Sequence, residues 1–151
     1  MVDISRMKNE EGVWEVTWKF EDESFETLQT IADELFFRAG TTVFTEGDTA
    51  DGMYLVLEGA ALVSRKSKSG EERTVAIVTE GQSFGEIGLL VDRPRQATVA
   101  AGTDLRVLKI TRYALELLHK SAPDMAFMMY QVLARSLAEQ LLLTTEMQRP
   151  D

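Results

Sequence analysis

Glu86 and Arg95 stand nine residues apart in the run Phe84-Gly85-Glu86-Ile87-Gly88-Leu89-Leu90-Val91-Asp92-Arg93-Pro94-Arg95-Gln96-Ala97-Thr98-Val99, whose residue types and spacing suit the holding of an anion. Gly85 permits a tight backbone turn. Residues 86–91 are long enough for about one and a half helical turns, and the first N–H groups of a helix, which lack intrahelical partners, point at whatever lies before it. A phosphate is favoured there. Pro94 stops the helix, and Arg95 opens a strand-like run over residues 95–101 from which a guanidinium can reach back to the same anion. Blander roles stay open: Glu86 as an acidic residue favouring the helix dipole, and Arg95 as a surface cation or a partner for Glu86.

The elements that must position this run follow from the punctuation of the chain. Nine of the ten glycines lie between Gly40 and Gly102, separating short runs rich in Val, Leu, Ile and Thr. That pattern predicts strands near residues 34–38, 42–45, 53–58, 60–66, 72–79, 95–101 and 104–110, and together a barrel or sandwich. Residues 66–72 form an exposed hairpin loop whose charges keep it solvated. Upstream, residues 1–12 show no period and are expected to be a flexible leader. Over residues 13–20, Trp14, Val16, Trp18 and Phe20 alternate as in a strand, yet Trp14 and Trp18 would also share a helix face. The two tryptophans suit a core or an interface. Ser24 caps an expected helix over residues 24–32.

Downstream the pattern becomes helical. Thr111 can cap a helix to about His119, where a cation suits the C-terminus, and Pro123 opens a helix of about 24 residues over 124–147. Met129, Leu133, Ser136, Gln140 and Leu143 repeat at alternating spacings of three and four, with Leu137 and Leu141 on a neighbouring stripe. One apolar face can cover the β-domain while the other meets a second helix, so a homodimer through Met129, Leu133, Ser136, Gln140 and Leu143 is expected; a single wide core face is the alternative. The division expected is a leader or extension over residues 1–23 and one domain over 24–151, with no second domain within these residues, so the chain is either a stand-alone adaptor or part of a longer protein.

The totals narrow the function further. A chain of 151 residues, 44% hydrophobic and 27% charged, suits one domain with one core. A formal net charge of −9 argues against DNA binding by this chain alone, because neutralising phosphates needs local Lys and Arg. With no cysteine and only His119, most metal, haem and thiol chemistries lack their ligands. Nothing approaches the roughly 18 apolar residues of a membrane span, and residues 1–11 lack a secretory apolar core, so a cytoplasmic location is expected.

Phe84-Gly85-Glu86-Ile87-Gly88-Leu89-Leu90, followed by Pro94-Arg95-Gln96-Ala97-Thr98-Val99, resembles the phosphate-binding cassette of cyclic-nucleotide-binding domains, as in protein kinase A regulatory subunits, cyclic-nucleotide-gated channels and the catabolite activator protein. The resemblance extends to Gly40, Phe44, Glu46-Gly47-Asp48, the Tyr54 to Gly59 hairpin and Pro123, covering roughly residues 33–145. It implies a fold that is mainly β with flanking helices: a double-stranded, jelly-roll-like β-roll, the nucleotide inside it, and a long C-terminal helix. By the same resemblance Glu86 bonds the ribose 2′-hydroxyl, Arg95 pairs with the cyclic phosphate, and backbone N–H groups of Gly85, Ile87, Gly88 and Ala97 supply further bonds. Thr98 is either a ligand contact or simply a β-former. The residue after the arginine is often Thr or Ser in domains that favour cGMP and Ala in many that favour cAMP. Here it is Gln96: the hydroxyl associated with guanine is missing, so cAMP is expected ahead of cGMP, and the Gln96 side chain is placed either to crowd the pocket or to reach the purine itself. An ungapped match from Pro123 brings Gln140 to the base.

The function implied is a non-catalytic sensor, without a cofactor, that signals to an effector protein by moving its C-terminal helix. The alternative is a β-roll whose pocket is filled by Gln96 and which serves as an interaction or dimerisation module. A cupin-like enzyme would need a cluster of histidines.

Overall fold

The computed structural model describes residues 2–8 and 14–147. Its first unit is an antiparallel hairpin of β1 (Val2–Lys8) and β2 (Trp14–Phe20), in register from Val2 opposite Phe20 to Lys8 opposite Trp14. The period of two therefore wins over the helical spacing of Trp14 and Trp18. It also corrects the expected leader: residues 2–8 are a strand, with Val2 4% exposed in the same core cluster as Leu133 of the C-terminal helix. Residues 1 and 9–13 lie outside the described residues. Helix α1 (Asp22–Ile31) starts two residues before the expected Ser24, following Glu21, which makes no side-chain capping bond.

Two four-stranded antiparallel sheets follow. One has the order β3 (Asp33–Phe37), β10 (Leu105–Thr111), β5 (Gly52–Glu58), β8 (Ser83–Phe84); the other runs β4 (Thr42–Phe44), β9 (Thr98–Ala101), β6 (Ala61–Lys66), β7 (Glu72–Val78). Strands β5 and β10 lie between two cores. Tyr54, Val56, Leu105 and Val107 point into the space between the sheets, whereas Met53, Leu55, Leu108 and Ile110 meet the helices. A strand covered on both faces reads as a continuous apolar run, as Met53-Tyr54-Leu55-Val56-Leu57 does.

The helices cover the outer face of the first sheet. In α3 (Arg112–Ser121) the Thr111 hydroxyl accepts from the Ala114 N–H at 3.0 Å, the expected cap. Helix α4 (Pro123–Met147) buries Ala126, Met129, Val132, Leu133 and Ser136 within this chain. That corrects the expected dimer stripe: Met129, Leu133 and Ser136 are the inward face, packed near the β1–β2 hairpin, because a heptad-like spacing and a core-facing stripe coincide over about two turns. Gln140 is exposed, and the side chain of Leu143 lies outside the described residues. The outward face of α4 carries Phe127, Tyr130, Leu141 and Leu142. The architecture is the expected one, mainly β with flanking helices and a long C-terminal helix. No helix among the described residues is long and apolar enough to cross a membrane.

Candidate functional site

The segment over residues 83–97 departs from its expected local structure in two places. Helix α2 (Ile87–Leu90) is a single turn that ends at Val91, in extended conformation, three residues before Pro94. Arg95 is not in a strand: its N–H donates to the Asp48 carbonyl at 2.8 Å and its own carbonyl accepts from the Gly47 N–H at 2.9 Å. The Gly47-Asp48 turn thus pins the backbone, freeing the side chain to turn inward.

That side chain is 6% exposed. Its Nη1 donates to the carbonyl oxygens of Gly52 at 2.9 Å and Gly85 at 3.2 Å, and its guanidinium carbon sits 4.1 Å from the centre of the Phe44 ring. The space it occupies is made by glycine. Gly85 has φ +76°, and a Cβ there would stand 2.7 Å from Arg95 Nη1; one on Gly88 would stand 2.8 Å from the same atom. The nearest carboxylate, Asp51 on the exposed side, is 4.0 Å from Nη2, and Nε is buried without a hydrogen-bond partner among the described residues. Burial lowers the proton affinity of Arg95, while Tyr54, Asp51 and Asp48 act in the opposite sense. A guanidinium keeps its charge under these conditions, so the arrangement is a buried cation with donor capacity to spare.

Glu86, 8% exposed, directly precedes α2. Its Oε1 accepts from the Ser83 hydroxyl at 2.6 Å, and Ser83 Oγ accepts from the Trp18 indole N–H at 2.8 Å. Both charged side chains line one cavity of about 330 Å³. Its apolar wall comes from Phe44, Val63, Val75, Ala76 and Val99 of the second sheet, and its polar wall from residues 83–88 and 94–97. Of the residues expected from sequence, Gly85, Glu86, Ile87, Gly88, Arg95, Gln96, Ala97 and Gln140 all line this cavity. Thr98 does not: its hydroxyl accepts from the Glu46 N–H at 2.9 Å. Gln96 is exposed, and its amide donates to the Pro94 carbonyl at 3.0 Å. Sequence reasoning missed Ser83, Ala50 and Arg65; nothing about their types or neighbours in the chain sets them apart. Among the described residues no group of three or more His, Asp or Glu could hold a metal ion.

A family model described as cyclic nucleotide-binding domain matches residues 34–121, more than half of the chain and the whole of this segment. The chain belongs to that family. A cAMP-dependent protein kinase regulatory subunit of Yarrowia lipolytica is 52% identical over 68 residues, 45% of this chain and 17% of that one. A CRP-like cAMP-activated global transcriptional regulator of Mycobacterium tuberculosis is 30% identical over 101 residues, 67% of this chain and 45% of the relative. The crystal structure of the Thermus thermophilus catabolite activator protein superposes with a TM-score of 0.72 at 28% identity, covering 85% of this chain and 60% of that one. The chain thus spans less than half the length of these two curated relatives. The two-sheet roll with its flanking helices is the fold of this cyclic-nucleotide-binding family.

Proposed function

We propose that this cyclic-nucleotide-binding domain is a non-catalytic sensor that takes cAMP in preference to cGMP. The observation that carries this reading is Arg95, a buried guanidinium whose Nε has no partner among the described residues and whose nearest carboxylate stands 4.0 Å off. A cyclic phosphate would supply the missing charge and acceptor oxygens. Glu86 would accept from the ribose 2′-hydroxyl, since a carboxylate accepts from a hydroxyl but repels a phosphate. The cavity, about 330 Å³, lies at the small end of the roughly 300–1,000 Å³ typical of small-molecule sites, which suits one mononucleotide.

Preference for cAMP is supported by the names of the relatives and by the lack of a Thr or Ser after Arg95. Gln140 on α4 lines the cavity, within reach of a base. Because α4 is part of the wall, it would make different contacts with an occupied and an empty cavity, and that difference is what a ligand needs to shift a helix and signal to a protein partner. The alternative, a roll that has lost its ligand, has Gln96 filling the pocket; Gln96 lines the cavity but is exposed, and its amide donates to the Pro94 carbonyl, which favours the sensor.

Titration calorimetry with cAMP and cGMP tests the reading. Heat with both and the lower Kd for cAMP is expected. No heat and no thermal shift with either at millimolar concentration overturns the sensor, and tighter cGMP binding overturns the base preference.

A further inference from the structure

A carboxylate that is to accept from a ribose hydroxyl must be held in place, and behind Glu86 stands a chain of two donors from distant parts of the sequence. Trp18 Nε1 lies 2.8 Å from Ser83 Oγ, and Ser83 Oγ lies 2.6 Å from Glu86 Oε1. Its two ends fix the direction of this chain. An indole nitrogen only donates and a carboxylate only accepts, so the serine oxygen must accept from Trp18 and give its own proton to Glu86. At 2.6 Å the second bond falls within the roughly 2.5–2.7 Å of a charge-assisted O–H···O⁻ contact. Ser83 occupies one lone pair of Oε1, and the carboxylate keeps further acceptor sites for a ligand.

The first member of the chain is itself held. Trp18 is 5% exposed, its ring stacks on Phe20 with centroids 5.8 Å apart, and its backbone N–H donates to the Gly81 carbonyl at 2.8 Å. Strand β2 therefore grips residues 81–83 twice, by backbone and by side chain, two residues before the turn that presents Glu86. A long acidic side chain has several rotamers to choose from. The donated proton selects one.

Resting on the reading of Glu86 as the ribose acceptor, we propose that Ser83 is a positioning residue for Glu86 and that Trp18 of the N-terminal hairpin sets it, so that this hairpin helps the site select ligands carrying a 2′-hydroxyl. Ser83 does this through Glu86 and not through the phosphate, which Arg95 takes. The consequence is specific: loss of the hydroxyl should be felt by a ribonucleotide and not by its 2′-deoxy counterpart.

The test is titration of cAMP and of 2′-deoxy-cAMP into the parent, Ser83→Ala, Ser83→Thr and Trp18→Phe, with thermal unfolding measured alongside. The parent is expected to favour cAMP. Ser83→Ala should bind cAMP about 5- to 20-fold more weakly and the deoxy analogue within about twofold of the parent, so the ratio of the two affinities collapses. Trp18→Phe keeps an aromatic ring and removes the donor, and should shrink the ratio by about 2- to 5-fold. Ser83→Thr keeps the hydroxyl and should retain the ratio. A merely structural role would weaken both nucleotides alike and lower the Tm without touching the ratio. A parent that discriminates, with Ser83→Ala or Trp18→Phe keeping the full ratio, overturns this inference alone. Equal affinities in the parent overturn the Glu86 reading and this inference with it. If Ser83→Ala fails to fold, Trp18→Phe decides: a smaller ratio supports the chain and an unchanged one refutes it.

Discussion

Gly88→Ala measures how tightly the arginine of the site is boxed in. A methyl at that position would meet Ala50 Cβ at 2.7 Å, Arg95 Nη1 at 2.8 Å and the Gly52 carbonyl oxygen at 3.1 Å. Carbon atoms in contact sit about 3.5–4.0 Å apart, so the Ala50 methyl and the guanidinium must both give way. Alanine is the better helix former by about 0.8–1.0 kcal/mol in a helix interior, a gain that a single turn such as α2 realises only in part. Overpacking a filled site costs about 1–3 kcal/mol, so the clash wins. A net loss of about 1–2 kcal/mol is expected, which for a domain of this size lowers the Tm by roughly 2–8 °C. Displacing Nη1 should also weaken cAMP by about tenfold, or 1.4 kcal/mol. Scanning and titration calorimetry read the two effects. Ala50→Gly in the same background removes the methyl that the new one strikes. The double variant should therefore exceed the additive expectation by about 1 kcal/mol, against the 0.3–0.5 kcal/mol scatter of independent sites. Parental Tm and affinity for Gly88→Ala, or strict additivity with Ala50→Gly, refutes the packing argument.

Thr111→Ala removes the acceptor for the Ala114 N–H and should cost about 1 kcal/mol in denaturant unfolding, with Thr111→Ser retaining most of the stability; no loss contradicts the cap. Leu133→Asp, at a position 1% exposed, should destabilise the fold by at least about 3 kcal/mol through lost burial and an unpaired charge. Phe127→Glu, at a position 61% exposed, should leave the Tm within a degree or two of the parent. If α4 pairs two copies it does so through the outer stripe of Phe127, Tyr130 and Leu141, so Phe127→Glu should lower the apparent mass in sedimentation. A monomeric parent disposes of the dimer.

The site was legible in the sequence where its parts are neighbours in the chain. Gly85, Glu86, Gly88 and Arg95 lie within eleven residues, and the structure brings that turn, carboxylate and guanidinium to one cavity. The strands were legible because positive-φ glycines such as Gly59, Gly70 and Gly81 punctuate them. The backbone at Arg95 escaped: it was expected to open a strand and is held instead by Asp48, a partner that no local pattern announces. The same holds for Ser83, whose hydroxyl has a defined direction only because Trp18, 65 residues away, cannot accept. Strand β1 was missed because its alternation, Val2-Asp3-Ile4-Ser5, breaks at Arg6 and Met7; pairing with β2 holds it, and propensity does not. On α4, Met129 and Leu133 fit a partner helix and the chain's own core equally well by spacing. The hairpin beneath them decides it, and its first strand, β1, was not foreseen.

The central claim, that Arg95 holds the phosphate of a cyclic nucleotide, is tested most directly by titrating cAMP into the parent and Arg95→Ala under identical conditions. Removing the guanidinium leaves the phosphate charge under-compensated in the cavity, and the expected cost is about 2–5 kcal/mol, a 30- to several-thousand-fold rise in Kd. Equal Kd values for the parent and a folded Arg95→Ala variant would contradict the account.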